Sequence, residues 1–238
     1  MRYFLTLLAA FLGGLLAAST ATLSATPNSV KPAHMDYSTQ GTSVVSPDGK
    51  TEITVTGEKK SLGAWVTINK PMQGWSIQVW PIERDVDVLW DPDSHVFALT
   101  DNRYANESYI LIIGTEFHMN GPTLGVQRVD LTPLLRQAFA SSARQYYRQH
   151  YGTTDFDDSY SFYARALLWT SNEHLLVGVS AITSLALPQH ALGAAPGVKG
   201  WSLGYLLDVP QRKILTVLNE KAVQKQYGID LSKSALRN

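Results

Sequence analysis

Asp91 and Asp93 stand two residues apart in LWDPDSHVFALTDN (89–102), a spacing that could supply paired carboxylates for acid–base work or oxygen ligands for calcium. Pro92 between them and Ser94 after them favour another task, because Asp in such a turn accepts backbone N–H groups. Asp48, in Ser-Pro-Asp-Gly, reads the same way, and Asp101 and Asn102 are expected to make a further turn where the apolar run ends. Asp155, Asp157 and Asp158 have the density a hard cation needs, but lack the glycine and distal glutamate of an EF-hand loop. They read as a solvated acidic loop.

The histidines are His34, His95, His118, His150, His174 and His190, and no pair has His-x-x-x-His or Glu-x-x-His spacing. His95 and His174 each follow a turn, which suits a scaffold role. A zinc site would need distant residues to converge. No Gly-x-Ser-x-Gly elbow and no glycine-rich phosphate loop before a helix occurs. With no cysteine, a thiol nucleophile, a thiolate metal site and a disulfide framework are all excluded. The sequence therefore assigns no catalytic, cofactor-binding or metal-binding residue and implies no cofactor. A site assembled from separate loop Asp and His residues stays open.

Aromatic side chains offer a different chemistry, that of desolvated contact. In WSIQVWPI (75–82) strict alternation puts Trp75, Ile77 and Val79 on one face and Ser76, Gln78 and Trp80 on the other. Trp80, opposite the apolar face and beside Pro81, and Trp201, at the edge of a long Pro/Gly/Ala loop, are the candidates for partner contact. Trp90 and Trp169 precede turns at matching places and are expected in the core.

These residues need elements to hold them, and the chain supplies mainly strands. VVSPDGKTEITV (44–55), AWVTI (64–68), WSIQVWPI, ESYILIIG (107–114), TLGVQRVDLT (123–132), residues 161–182 around Thr170–Glu173, and residues 200–218 around Pro210 alternate or run apolar between turn formers. EFHMNGP reads as a loop between two of them. LTPLLRQAFASSARQYYRQHYG (131–152) instead has helical spacing, with Thr132 as a possible cap, Pro133 at the first helical position and Gly152 as a stop. NEKAVQKQYG predicts a short helix to Tyr227.

Residues 1–21 have signal-peptide grammar: Arg2, an apolar Leu/Ala stretch and small residues at the expected cleavage site. Residues 22–40 mix Ser, Thr, Pro and Asn without period and read as a flexible lead-in, leaving 41–238 as a single mainly β domain. The 20 basic and 20 acidic residues balance, so nothing steers the chain to nucleic acid or, after signal cleavage, to a membrane.

Residues 44–55, 89–100 and 168–179 repeat one form, a turn followed by a strand. Ser46-Pro47-Asp48-Gly49 carries the full turn, Trp90-Asp91-Pro92-Asp93-Ser94 a variant, and Trp169-Thr170-Ser171-Asn172-Glu173 a degenerate copy. These stretches resemble the modules of WD-like and TolB-like β-propellers. The resemblance implies antiparallel, propeller-like blade modules, incomplete or divergent in number, with the amphipathic helix inserted. No catalytic signature accompanies it.

The expectation is thus a periplasmic or secreted, non-catalytic module that binds another protein, an inhibitor or immunity-type partner being one form. The alternatives are an envelope hydrolase or lyase with a site built from loop Asp and His residues, and an envelope structural factor.

Overall fold

A computed structural model describes residues 31–36, 42–57, 64–104, 107–120, 123–151, 161–182 and 201–234. The signal segment 1–21, most of the lead-in, Asp155, Asp157, Asp158 and the loop 183–200 with His190 lie outside the described residues.

In chain order the strands begin with β1 (Ala33–Met35), β2 (Ser43–Val45), β3 (Glu52–Thr56), β4 (Ala64–Lys70) and β5 (Trp75–Ile82). They continue with β6 (Val86–Trp90), β7 (Val96–Tyr104), β8 (Glu107–Asn120) and β9 (Thr123–Asp130). Helix α1 (Thr132–Tyr151) follows, then β10 (Ser161–Trp169), β11 (His174–Ile182), β12 (Trp201–Asp208) and β13 (Lys213–Asn219), and last the helices α2 (Glu220–Tyr227) and α3 (Leu231–Ser234). The fold is mainly β, as the sequence predicts.

The strands form two sheets. One has four strands in the order β2-β3-β4-β5; the other has nine, in the order β1-β6-β7-β8-β10-β11-β12-β13 with β9 also paired to β8. All pairings are antiparallel except the short parallel contact of β10 with β8 at Phe162 and Glu107.

Alternation on β6 and β7 sorts the core. Val86, Val88, Trp90, Phe97 and Leu99 face the four-stranded sheet and pack with Ile53, Val66, Ile68 and Val79. Leu89 and Ala98, on the other face, pack with Leu135 and Phe139 of α1 and with Val177 and Tyr205 from β11 and β12. A third, smaller cluster puts Val223 of α2 and Leu231 of α3 over Leu167 and Leu176. With apolar residues required on both faces, β6 is a continuous buried run rather than an alternating one.

Four expectations need correction. The blade-like stretches do fold as hairpins, β2-β3, β6-β7 and β10-β11, but the first lies in the four-stranded sheet and the others merge into the nine-stranded one. There is no closed propeller, and the propeller resemblance does not hold. Turn chemistry recurs because each tight connection needs it, whereas a blade needs separate sheets arranged radially. Second, part of the lead-in is a strand: Met35 is buried in the core and β1 pairs with β6. Third, EFHMNGP is no loop up to Asn120, since β8 continues past a register irregularity between Ile113 and Phe117 and pairs its second half with β9. Fourth, Asp101 and Asn102 lie inside β7, Asp101 opposite Val86 and Tyr109, and make no turn.

Helix α1 starts where expected, but the Thr132 hydroxyl accepts the backbone N–H of Ile110 at 2.9 Å, while Asp130 accepts the N–H of Thr132 at 2.8 Å. The would-be cap thereby ties the helix to β8. At the other end of the chain, the Asn219 side chain caps α2 through the N–H of Ala222, and Gly228 ends it in the left-handed conformation at φ 71°.

At Gly204 the sheet leaves room for α2: a Cβ there would stand 2.5 Å from Val223 Cγ2. Gly204→Ala is therefore expected to destabilise the protein by about 1–3 kcal/mol through overpacking. Val223→Ala in the same chain should recover part of the loss, and urea unfolding midpoints of the single and double variants check both statements.

Candidate functional site

Three constellations come from the described residues, and the first uses the turn aspartates. Asp48 accepts from the Ser46 hydroxyl at 2.7 Å and from the N–H of Lys50 at 3.1 Å. The Ser46 hydroxyl, with the Lys50 N–H, holds the Asp48 carboxyl below its ordinary range. Asp91, buried, accepts the N–H of Val96 at 3.0 Å, while burial pushes its carboxyl up. Asp93 accepts from the Asn172 amide, and Ser94 accepts the N–H of Asp48 at 3.1 Å. The three hairpin tips are thus stitched together. Every one of these aspartates is bonded within or between turns, as Pro92 and Ser94 suggested.

The second constellation joins the two sheets. A bulge in the β4-β5 ladder, where Val66 pairs with Trp80 and Thr67 with Gln78, leaves Val79 as an extra residue and reverses the alternation. Trp80 consequently faces inward with Ile77 and Ile82 against the core, not outward as strict alternation predicts. Its indole N–H donates to Asp101 Oδ2 at 2.6 Å. Arg103 donates to the Pro81 carbonyl at 2.7 Å, approaches Asp101 Oδ2 at 3.3 Å, and sets its guanidinium over the rings of Trp80 and Tyr109 at 5.2 and 5.9 Å.

Asp101 is fully buried, and among the described residues its Oδ1 has no hydrogen-bond partner. Burial raises its carboxyl pKa, opposed in part by the Trp80 N–H and the Arg103 charge.

The third lies on the opposite face of β6. His34 Nδ1 is 3.1 Å from Asp87 Oδ1 and its Nε2 is 3.7 Å from Asp85 Oδ2; Arg165 Nε is 3.1 Å from Asp87 Oδ2. Asp87 is buried and His34 is open to solvent, so the carboxylate orients an accessible imidazole. Such a pair can hold and pass a proton. Among the described residues, no hydroxyl nucleophile bonds to His34, and no group of three or more His, Cys, Asp or Glu could hold a metal. Sequence reasoning missed this pair because His34 sits in the stretch read as lead-in; the alternation of Val86, Val88 and Trp90 against Asp87 was the signal available.

Away from these, apolar surface is exposed at the β4-β5 connection. Pro71–Gln73 form one 3₁₀ turn ended by Gly74 at φ 68°. Met72 on this turn is 90% exposed and Trp75, the first residue of β5, 50%. The Trp75 ring lies 6.2 Å from that of Phe117 on β8, over which Lys70 Nζ stands at 5.4 Å.

Of the sequence's two candidates for partner contact, Trp80 is half-buried with its N–H committed to Asp101. Trp201 opens β12 opposite Ala181, with its side chain outside the described residues. Trp90 and Trp169 are buried as expected, and the Trp169 indole donates to the Leu89 carbonyl at 3.1 Å. His95 is exposed and His174 half-buried, each just after its turn.

No family model matches the chain, and no curated protein or solved structure matches it at a significant level.

The raised pKa of Asp101 sets a sign for the pH dependence of stability. The folded state favours the neutral carboxyl, so this contribution is complete below the unfolded value of about 3.8 and is lost as pH rises through the raised folded value. Asp101→Asn, which is neutral throughout, is expected to show a shallower fall in unfolding free energy across that interval than the parent protein. Denaturant titrations at a series of pH values measure the slopes, and a steeper fall in the variant would contradict the assignment.

Proposed function

We propose that the chain is an exported, non-catalytic module that binds another protein, an inhibitor or immunity-type role being one form of it. The observation that carries this reading is the patch formed by Met72, Trp75 and Phe117, where a methionine and a tryptophan stand in solvent on a short turn beside an outer strand. Large apolar side chains so placed are suited to act as anchors that a partner desolvates. Lys70 beside Phe117 supplies a polar rim. In this reading Met72 and Trp75 make the first contact, and Trp80, through Asp101, fixes the strand that carries them. Export rests on the leader grammar of residues 1–21, and the even charge balance disfavours a nucleic-acid partner.

A second reading, an envelope hydrolase or lyase, draws on the His34–Asp87 pair, in which a buried carboxylate orients an accessible base. It would need the nucleophile, such as water, to arrive with the substrate.

Both readings meet in one experiment. The immobilised protein should retain a specific chain from envelope extract, identified by mass spectrometry. Met72→Ser with Trp75→Ser should lower the retained amount about tenfold or more, the scale expected for removing central anchors. His34→Ala should leave retention unchanged, and the melting temperature of the patch variant should stay near that of the parent. Equal retention by parent and patch variant, or no retained chain, would count against the binding reading. Loss of a measured turnover in Asp87→Asn would favour the hydrolytic one.

A further inference from the structure

We infer that Met72 is an oxidation switch on the apolar patch: a hydroperoxide transfers one oxygen atom to its thioether sulfur and so makes the patch's most exposed anchor polar. The chemistry stands on where the sulfur is placed, and its consequence rests on the binding reading above. Among the described residues Met72 is the most exposed of the large apolar side chains, at 90% against 54% for Val45 and 50% for Trp75.

Selectivity follows from composition and burial. A chain without cysteine offers an oxidant no thiolate, so its sulfur chemistry falls to four methionines. Met1 lies in the stretch read as a leader, and the side chain of Met119 is outside the described residues. Met35 is fully buried in the core with Val86 and Val88, so a peroxide reaches it only when the β1-β6 pair opens. Met72 needs no such opening. Its 3₁₀ turn has no buried residue and is closed backbone to backbone, the Gly74 N–H donating to the Pro71 carbonyl at 3.2 Å. The turn displays the thioether without depending on it, so oxidation there alters the surface and leaves the fold intact.

With hydrogen peroxide a sulfur lone pair attacks one oxygen, an S–O bond forms and the O–O bond breaks. The leaving hydroxide takes the proton of the transferred oxygen, giving the sulfoxide and one water. Sulfur loses two electrons and the peroxide gains them. The product is a polar group that accepts hydrogen bonds from water, in place of a flexible apolar one. An anchor acts by being desolvated, and burying that oxygen in an apolar socket without a donor is unfavourable. Trp75, beside Phe117, is left as the remaining large anchor.

The test treats the folded protein with hydrogen peroxide, stops the reaction with catalase and maps the digested chain by mass spectrometry. Met72 should gain one oxygen at least about tenfold faster than Met35 and Met119, with the melting temperature near that of untreated protein. On a phenyl resin the oxidised parent should elute earlier than the untreated one, whereas Met72→Leu should elute at the same place before and after treatment. Neither readout needs a partner, so they succeed or fail apart from the binding reading. In the retention experiment, peroxide should lower the amount of the retained chain about fivefold for the parent and leave Met72→Leu unaffected, and untreated Met72→Gln should behave like the oxidised parent. Oxidation of Met35 or Met119 as fast as Met72 would overturn the inference. So would unchanged elution of the oxidised parent, or a peroxide effect that persists in Met72→Leu and must therefore act elsewhere.

Discussion

Strand β6 has no exposed residue, and the requirement to bury both of its faces organises the rest of the molecule. Val86, Val88 and Trp90 need one apolar layer, which the four-stranded sheet supplies; Leu89 needs another, which α1 and β10 to β12 supply. Removing the four-stranded sheet would expose Val86, Val88 and Trp90, and removing the other layer would expose Leu89, each side chain contributing roughly 1.5–3 kcal/mol when buried. The two layers are therefore conditions of one another's stability through the strand between them.

Asp87 and Asp101 mark how polar groups are accommodated in such a core. They lie on opposite faces of the β6-β7 pair, and each is held by an arginine and a ring N–H: Arg165 and His34 for Asp87, Arg103 and Trp80 for Asp101. A buried carboxylate is costly unless charge and hydrogen bonds compensate. Here the compensating groups come from different elements, so each carboxylate also ties a peripheral piece to the centre. His34 brings in β1, Arg165 brings in β10, and Trp80 brings in β5 of the second sheet. The residues with most chemical potential are in this respect cross-links, and their accessible parts, above all the imidazole of His34, are what remains free for other work.

What the sequence made legible was local. The hairpin turns, the helix from Thr132, the Gly228 stop and the burial of Trp90 and Trp169 follow from turn chemistry and periodicity, which act within a few residues. Trp80 was misplaced because a bulge at Val79 reverses the alternation, and nothing in WSIQVWPI announces it; the cause is the pairing partner on β4. The His34–Asp87 pair was invisible for a related reason, since three residues of an irregular segment become a strand only by adding to β6. The repeated turns misled at the level of architecture, because the same turn can join strands of one large sheet as readily as strands of separate blades. Of the candidate binding patch, Trp75 was visible as an aromatic residue, but Met72 gained its meaning only from the exposed turn that carries it.

The distribution of exposed apolar groups then has a structural logic. Interior strands such as β6 and β11 cannot display such groups without opening the core, so display is confined to connections and to outer strands. Met72 and Trp75 occupy the connection into the outer strand of the four-stranded sheet, and Leu215 and Val217 the terminal strand of the nine-stranded one. The two surfaces offer different physics. The first presents side chains from a turn, which a partner can engulf whatever its backbone does. The second adds an open ladder, which admits only an extended chain and rewards register. A single chain can carry both without conflict because the strands that bear them belong to separate sheets.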